Sequence, residues 1–133
     1  MPGNAALLLA RLLLAGLFIQ AGYDTLADIA GSASYFAGLG LPAATLVAWA
    51  TGFFELIAGF LVLIGFQTRA ASALLALFCV SAGIIGHYGQ GGGDPAMAFM
   101  HSQAMMKDIA IAGGFLALTV AGPGALSLDA RRG

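Results

Sequence analysis

The sequence predicts an all-α integral membrane protein, a four-helix bundle with a short interfacial helix in its first outer loop. The 133-residue chain is 60% hydrophobic and only 8% charged, with a mean hydropathy of +0.95, whereas soluble domains carry about 25% charged residues. Four apolar runs are long enough to cross a hydrocarbon core about 30 Å thick. One of these runs carries a single acid, Glu55, near its middle. A carboxylate at that depth is costly unless other protein groups surround it, so we expect the bundle to pack around it.

The four spans are expected at residues 5–23, 45–66, 70–88 and 104–121, within a single domain of residues 1–133. A cleavable signal peptide is the rival interpretation of the first run, but no Lys or Arg precedes this run and Arg11 interrupts it. The link at residues 67–69 is so short that spans two and three must form an antiparallel hairpin.

The two longer connections carry helix signals. In the first, Ser32 is expected to cap a short interfacial helix that ends at Gly40, before Pro42. In the second, Asp94 and Pro95 match an N-cap followed by proline at the first helical position. A helix that begins there is expected to run into span four.

The arginines predict the orientation in the membrane. Four spans place both termini and the short link on one side, together with Arg69, Arg131 and Arg132. Arg11 lies near that end of span one. Because positive residues favour the cytoplasmic side, we expect both termini in the cytoplasm of a bacterial inner membrane.

Composition and motifs exclude several function classes. The net charge of −1 and the absence of a basic stripe argue against a nucleic-acid partner. The single cysteine, Cys79, excludes an internal disulfide and a CxxC pair. No nucleophile–base arrangement, phosphate loop or dinucleotide fingerprint is present. His87 and His101 lack HxxxH or HxxE spacing, so no metal site is predicted.

Glu55 and Arg11 are the first two candidate site residues. Arg11 lies about 9 Å and Glu55 about 16 Å from the same end of their spans, at 1.5 Å per residue. An ion pair between them is therefore within reach if spans one and two are neighbours. Three interpretations of Glu55 stay open: a structural ion pair, a protonatable acid on a quinone or proton path, and a protonated acid bonded to backbone.

His87 and Lys107 are the other two candidates, on the outer side. Ala76, Cys79 and Gly83 form a small-residue stripe that leads to His87. A similar stripe begins at Lys107 and continues through residues 110, 114, 117 and 121. Such stripes usually mark helix packing. Lys107 is either a solvated residue near a helix start or a contact for an anion or a quinone head group.

Motifs along nearly the whole chain resemble the DoxX family of small four-span bacterial membrane proteins. The most specific are Lys107-Asp-Ile-Ala-Ile-Ala-Gly-Gly114 and Gly122-Pro-Gly-Ala-Leu-Ser-Leu-Asp129. The others are Arg11 with the following Leu-Leu-Leu-Ala-Gly-Leu-Phe-Ile, Gly22, Tyr35 with Leu39-Gly-Leu-Pro42, Glu55 with Gly59, Gly65-Phe-Gln-Thr-Arg69, and His87. The chain has Asp24-Thr25 where such proteins often carry a lysine, so no function of that cation is carried over.

The resemblance implies an inner-membrane subunit of a quinone-linked oxidoreductase complex, related to thiosulfate, thiol or oxidative-stress chemistry. The chain has no haem, flavin or iron–sulfur ligand set of its own, so a redox centre would lie on a soluble or membrane partner protein. A quinone is the candidate ligand, in a cleft lined by Arg11, Glu55, His87 and Lys107. The alternatives are a small-solute or proton carrier and a non-catalytic membrane scaffold. Self-association into a homo-oligomer stays open.

Overall fold

A computed structural model of the protein describes residues 2–133 and contains six helices in this part of the chain. Four of them are long and apolar enough to cross a membrane, which confirms the all-α four-span prediction. The helices are α1 (Pro2–Ala27), α2 (Ile29–Gly38), α3 (Ala44–Ile64), α4 (Thr68–His87), α5 (Pro95–Ala121) and α6 (Leu128–Arg132).

The long helices form a ring in the order α1, α3, α4, α5. The most extensive packing joins α1 to α3 and α4 to α5, while α3–α4 and α1–α5 contacts close the ring less tightly. Both termini and the α3–α4 turn lie at one end of the bundle, which we call the terminus end. The other end carries α2 and the α4–α5 loop, and we call it the α2 end.

Helix bounds differ from the predictions mainly at the ends. The first helix extends beyond residues 5–23 at both ends, because the polar residues that flank the apolar run continue the helix. Helix α5 begins at Pro95, and the Asp94 side chain accepts a hydrogen bond from the N–H of Ala96 at 3.0 Å. The predicted capping signal and the helix running from it into span four are therefore confirmed.

The predicted cap of α2 was wrong. Helix α2 begins at Ile29, three residues before Ser32, and its N-cap is Asp28, whose carboxylate accepts from Gly31 N–H at 2.9 Å. Ser32 instead points its hydroxyl at the carbonyl of Thr25, 3.4 Å away. An aspartate competes well for this position because its charge also favours the positive end of the helix dipole.

The core fills the terminus half of the bundle. Phe18 of α1 stacks edge-on against Phe78 of α4 and Phe115 of α5, with ring centroids 6.2 and 5.4 Å apart. Phe54 of α3 joins Phe78 at 5.1 Å. The fully buried Leu75 and Val62 continue the core toward the termini. A cavity lies beside this packing, in the α2 half of the bundle.

Candidate functional site

A cavity of about 550 Å³ lies among the helices in the α2 half of the bundle. The polar members of its wall are Tyr35, Thr51, Glu55, Cys79, Ser81, His87 and Asp108. Apolar residues from α1, α2, α3 and α4 make up the rest, among them Leu17, Phe36, Phe78 and Ile85. Leu17, Tyr35 and Ile85 are each about half exposed, so the cavity wall reaches the bundle surface.

Glu55 lies at the deep end of this cavity, near the middle of α3. Val47, Thr51 and Glu55 succeed one another at four-residue intervals, which places them along one face of the helix. Glu55 is 7% exposed. Among residues 2–133, no hydrogen bond or ion pair to its carboxylate forms. A buried carboxyl without a protein partner is uncommon because desolvation is then uncompensated.

His87 and Asp108 lie at the opposite end of the cavity. His87 is the last residue of α4, and its Nε2 is 3.7 Å from Oδ2 of Asp108 on α5. Its other nitrogen, Nδ1, lies 2.9 Å from Nδ1 of His101, also on α5. One imidazole donates in this contact and the other accepts. His87 therefore connects a carboxylate on the cavity wall with a second histidine behind it.

Arg11 lies elsewhere, and the ion pair with Glu55, one of the three open interpretations, does not form among the described residues. Arg11 is 2% exposed at the terminus end. Its guanidinium donates to four backbone carbonyls, those of Val62 at 3.0 Å, Leu63 at 2.7 Å, Pro123 at 2.9 Å and Leu126 at 2.7 Å. The first two belong to the last turn of α3, where carbonyls lack helical partners. The arginine satisfies these carbonyls and does not reach the cavity.

Lys107 is also outside the cavity. Its side chain is exposed on α5, whereas its neighbour Asp108 lines the cavity wall. Of the small-residue stripe that begins at Lys107, only Gly114 packs against another helix, where a Cβ would lie 3.3 Å from Leu14 of α1. Ala110, Ala117 and Ala121 are exposed, so the stripe is not a continuous packing face within the described chain. The buried face of α5 carries Ala112, Phe115 and Leu118.

Asp108 is the main residue that the sequence analysis did not select. It lies four residues before Ala112 and seven before Phe115, on the buried face of α5. A Cβ built on Gly83 of α4 would lie 2.9 Å from the Asp108 Cβ, so the stripe of α4 packs against this position. In the sequence, the spacing of Phe115 and Leu118 indicates the buried face of α5, on which Asp108 lies. The small residues that follow Lys107 indicate a different face.

The glycines beside Glu55 allow α1 to approach α3 closely. A Cβ on Gly59 would lie 3.1 Å from Ile19 Cγ1 and 3.3 Å from the carbonyl oxygen of Ala15. On α1, a Cβ on Gly22 would lie 2.7 Å from the backbone nitrogen of Leu56. These contacts set the helix spacing and hold Glu55 against the cavity rather than against lipid.

The C-terminal segment of residues 122–132, which we call the clasp, joins the helices at the terminus end. Asp129 accepts hydrogen bonds from the N–H groups of Gln67 and Thr68, at 2.8 and 2.9 Å, and so caps the start of α4. Its own N–H donates to the carbonyl of Gly65 at 2.8 Å. Partial burial acts to raise the pKa of Asp129, but the hydrogen bonds from Thr68 and Gln67 and the charge of Arg132 hold it below its usual value. These contacts give a structural role to two of the sequence motifs, Gly65-Phe-Gln-Thr-Arg69 and Gly122-Pro-Gly-Ala-Leu-Ser-Leu-Asp129.

No group of three His, Cys, Asp or Glu side chains within residues 2–133 is arranged to hold an ion. His87, His101 and Asp108 form a row with His87 in the middle rather than a shell around one point.

The comparisons with known proteins agree with this architecture. The DoxX family profile matches residues 6–88. The inner membrane protein YphA of Escherichia coli (strain K12) is 36% identical over 126 residues, which cover 94% of this chain and 89% of that protein. The inner membrane protein YqjF of the same organism is 32% identical over 126 residues, 95% of this chain and 91% of its own length. No solved structure matches. The chain belongs to the DoxX family and is an integral inner-membrane protein.

Proposed function

We propose that this protein is the membrane subunit of a quinone-linked oxidoreductase complex and that its cavity binds the quinone ring. The observation that supports this most directly is the Glu55 carboxyl, which faces an apolar cavity without a protein partner. A polar group placed in this way is available to a ligand. The redox centre that exchanges electrons with the quinone belongs to a partner protein.

The chemistry of the lining fits a quinone. The cavity volume of about 550 Å³ falls within the range of roughly 300–1,000 Å³ typical of small-molecule sites, which combine mostly apolar walls with a few polar groups. A quinone has a flat apolar ring with carbonyl oxygens on its edge. The Glu55 carboxyl, when protonated, donates a hydrogen bond to such an oxygen, and Thr51 offers a hydroxyl one turn away.

The roles of the four predicted site residues change accordingly. Glu55 and His87 stay in the proposed site because both line the cavity, and Asp108 joins them. Arg11 has a structural role, because it bonds the end of α3 and the clasp. Lys107 lies on the exposed surface of α5.

A binding experiment with a short-chain ubiquinone analogue tests the proposal. Purified protein in nanodiscs should bind the analogue, as measured by calorimetry and by an increase in melting temperature. Ala82 lines the cavity on α4, so Ala82→Leu should reduce its volume and abolish binding. Ala73→Leu is the matched control, because Ala73 is exposed on the same helix. Glu55→Leu removes the donor and should weaken binding by about tenfold, the loss of one good hydrogen bond.

Two outcomes contradict the proposal. If the native protein does not bind the analogue, the cavity has another ligand or none, as expected for a scaffold or a solute carrier. If Ala82→Leu and Ala73→Leu bind it equally well, the quinone is held outside the cavity.

A further inference from the structure

We propose that His101 and His87 form a proton relay that delivers protons from the α2 end of the bundle to the Glu55 carboxyl. This inference rests on the proposed function to the extent that reduction of a quinone consumes protons, but the relay is a property of the ligand-free protein. It assigns His101 and Asp108 roles that neither the sequence nor the comparisons indicate.

The first step of the argument is the contact between the two imidazoles. A distance of 2.9 Å between Nδ1 of His87 and Nδ1 of His101 is a normal hydrogen-bond length, so one ring carries the shared proton and the other accepts it. A neutral imidazole has one donor and one acceptor nitrogen, so it can take up a proton at one nitrogen and release a proton from the other. A direct imidazole–imidazole bond is therefore a built proton connection.

The second step is the position of the pair. His101 is two turns into α5 and is partly exposed, whereas His87 lines the cavity at the end of α4. Asp108 Oδ2 lies 3.7 Å from His87 Nε2, which is too long for a direct hydrogen bond. The carboxylate is therefore a nearby proton acceptor on the side of the ring that faces the cavity.

The third step is the distance to Glu55. Cys79, which shares the deep part of the cavity, is eight residues from His87 on α4, about 12 Å at 1.5 Å per residue. The cavity is large enough for several water molecules, each of which takes about 30 Å³ of liquid. Thr51 and Ser81 line the wall between its two ends. The Ser81 hydroxyl donates to the carbonyl of Leu77 at 2.9 Å, so it offers these waters its oxygen as an acceptor.

The transfer balances as a movement of one proton. Water at the α2 end protonates Nε2 of His101, whose Nδ1 proton then passes to Nδ1 of His87. His87 releases its Nε2 proton to Asp108 or to water in the cavity, and the last transfer places a proton on the Glu55 carboxylate. Each ring returns to its starting tautomer when it turns away from the other ring, gains a proton from water on the bare nitrogen and loses the proton on its other nitrogen to water. No electrons move, so no oxidant or reductant is required.

The other titratable groups around the cavity leave this route as the one with connected donors and acceptors. Helix α1 contributes only apolar residues to the wall, and α2 contributes the phenol of Tyr35. The remaining groups are Glu55 on α3, Cys79 and His87 on α4, and Asp108 on α5. Lys107 points away to the surface of α5, and Asp24, Asp28 and Asp94 lie on exposed parts of the α2 end. The histidine pair is the hydrogen-bonded connection among these side chains.

Infrared spectroscopy of the ligand-free protein in nanodiscs tests the relay. The C=O band of the protonated Glu55 carboxyl is identified as the band that is absent in Glu55→Gln. After transfer into D₂O, the shift of this band reports when deuterium reaches Glu55. We expect His101→Phe and His87→Gln to slow the shift by on the order of 100-fold, the lower end of what a positioned proton-transfer group contributes.

Control variants separate the relay from a general change in structure. Gln103→Phe adds the same bulk on the exposed surface of α5 and should exchange at the native rate. His101→Gln repeats the test in case the phenylalanine variant unfolds. Equal exchange rates in the native protein and in the variants at both His87 and His101 would overturn the relay. So would the absence of any band that depends on Glu55. Neither result affects the quinone-binding experiment, so the two proposals fail independently.

Discussion

At the scale of single residues, the two ionisable groups inside the first two spans differ in their hydrogen bonding: Arg11 has protein partners and Glu55 has none among residues 2–133. Arg11 is fully buried, and the five N–H donors of its planar guanidinium bond to four carbonyls, two in the last turn of α3 and two in the clasp. Glu55 has only acceptor oxygens when it is charged, and no donor among residues 2–133 bonds to it. The arginine therefore stabilises the fold, while the acid remains available for function.

This difference predicts how variants of the two residues combine. Arg11→Ala should reduce the free energy of unfolding by about 3 kcal/mol, because charged hydrogen bonds are lost and buried carbonyls are left without partners. Arg11→Lys should not restore it, since an ammonium cannot reach four carbonyls at once. Because Arg11 and Glu55 share no partner, Arg11→Ala and Glu55→Gln should add to within about 0.5 kcal/mol in the double variant. Unfolding in mild detergent measures the free energy of the native protein and of the four variants. A loss in the double variant clearly smaller than the sum of the two single losses would indicate an Arg11–Glu55 ion pair.

At the scale of helices, close packing and capping hold the site in place. Glycines bring α1 against α3 beside Glu55, and the aromatic cluster of α1, α4 and α5 closes the space below it. At the terminus end, Gly65 adopts a left-handed φ of 72°, and a Cβ there would collide with Ser127 of the clasp. The turn after α3 therefore requires glycine for both its conformation and its close contact.

The close packing of α1 on α3 leads to a prediction for which another glycine of the chain provides the control. Gly59→Leu should lower the melting temperature in detergent, because its side chain meets Ile19 and the backbone of Ala15, and overpacking costs about 1–3 kcal/mol. Gly113→Leu is the matched control, since a Cβ on Gly113 has nothing within 4 Å. Equal melting temperatures for the two variants would show that α1 does not pack on this face of α3.

At the scale of the whole molecule, the bundle has one tightly packed end and one hollow end. The terminus end combines the aromatic core, Arg11 and the clasp, while the α2 end holds the cavity and the histidine pair. Both termini and the α3–α4 turn lie together, as expected for four spans.

The orientation of this bundle in the membrane is a prediction from its arginines. Arg69, Arg131 and Arg132 lie at the terminus end, so that end should face the cytoplasm. Alkaline phosphatase fused at Gly92 should be active, whereas a fusion at Gly133 should be inactive and green fluorescent protein there should fluoresce. Phosphatase activity at Gly133 would contradict the predicted orientation.

The sequence by itself determined the fold class, the four spans and the position of Glu55, because hydropathy and helical periodicity are local properties that need no knowledge of neighbours. It also identified the Asp94–Pro95 helix start, since a cap involves only adjacent residues. Only the tertiary structure decided which charged side chains meet. Arg11 donates to the carbonyls of Val62 and Pro123, which are 51 and 112 residues away in the sequence, and not to Glu55. Asp108 rather than Lys107 lines the cavity. These outcomes depend on how each helix is rotated about its axis, which is set by close contacts between helices and which a stripe of small residues indicates only weakly.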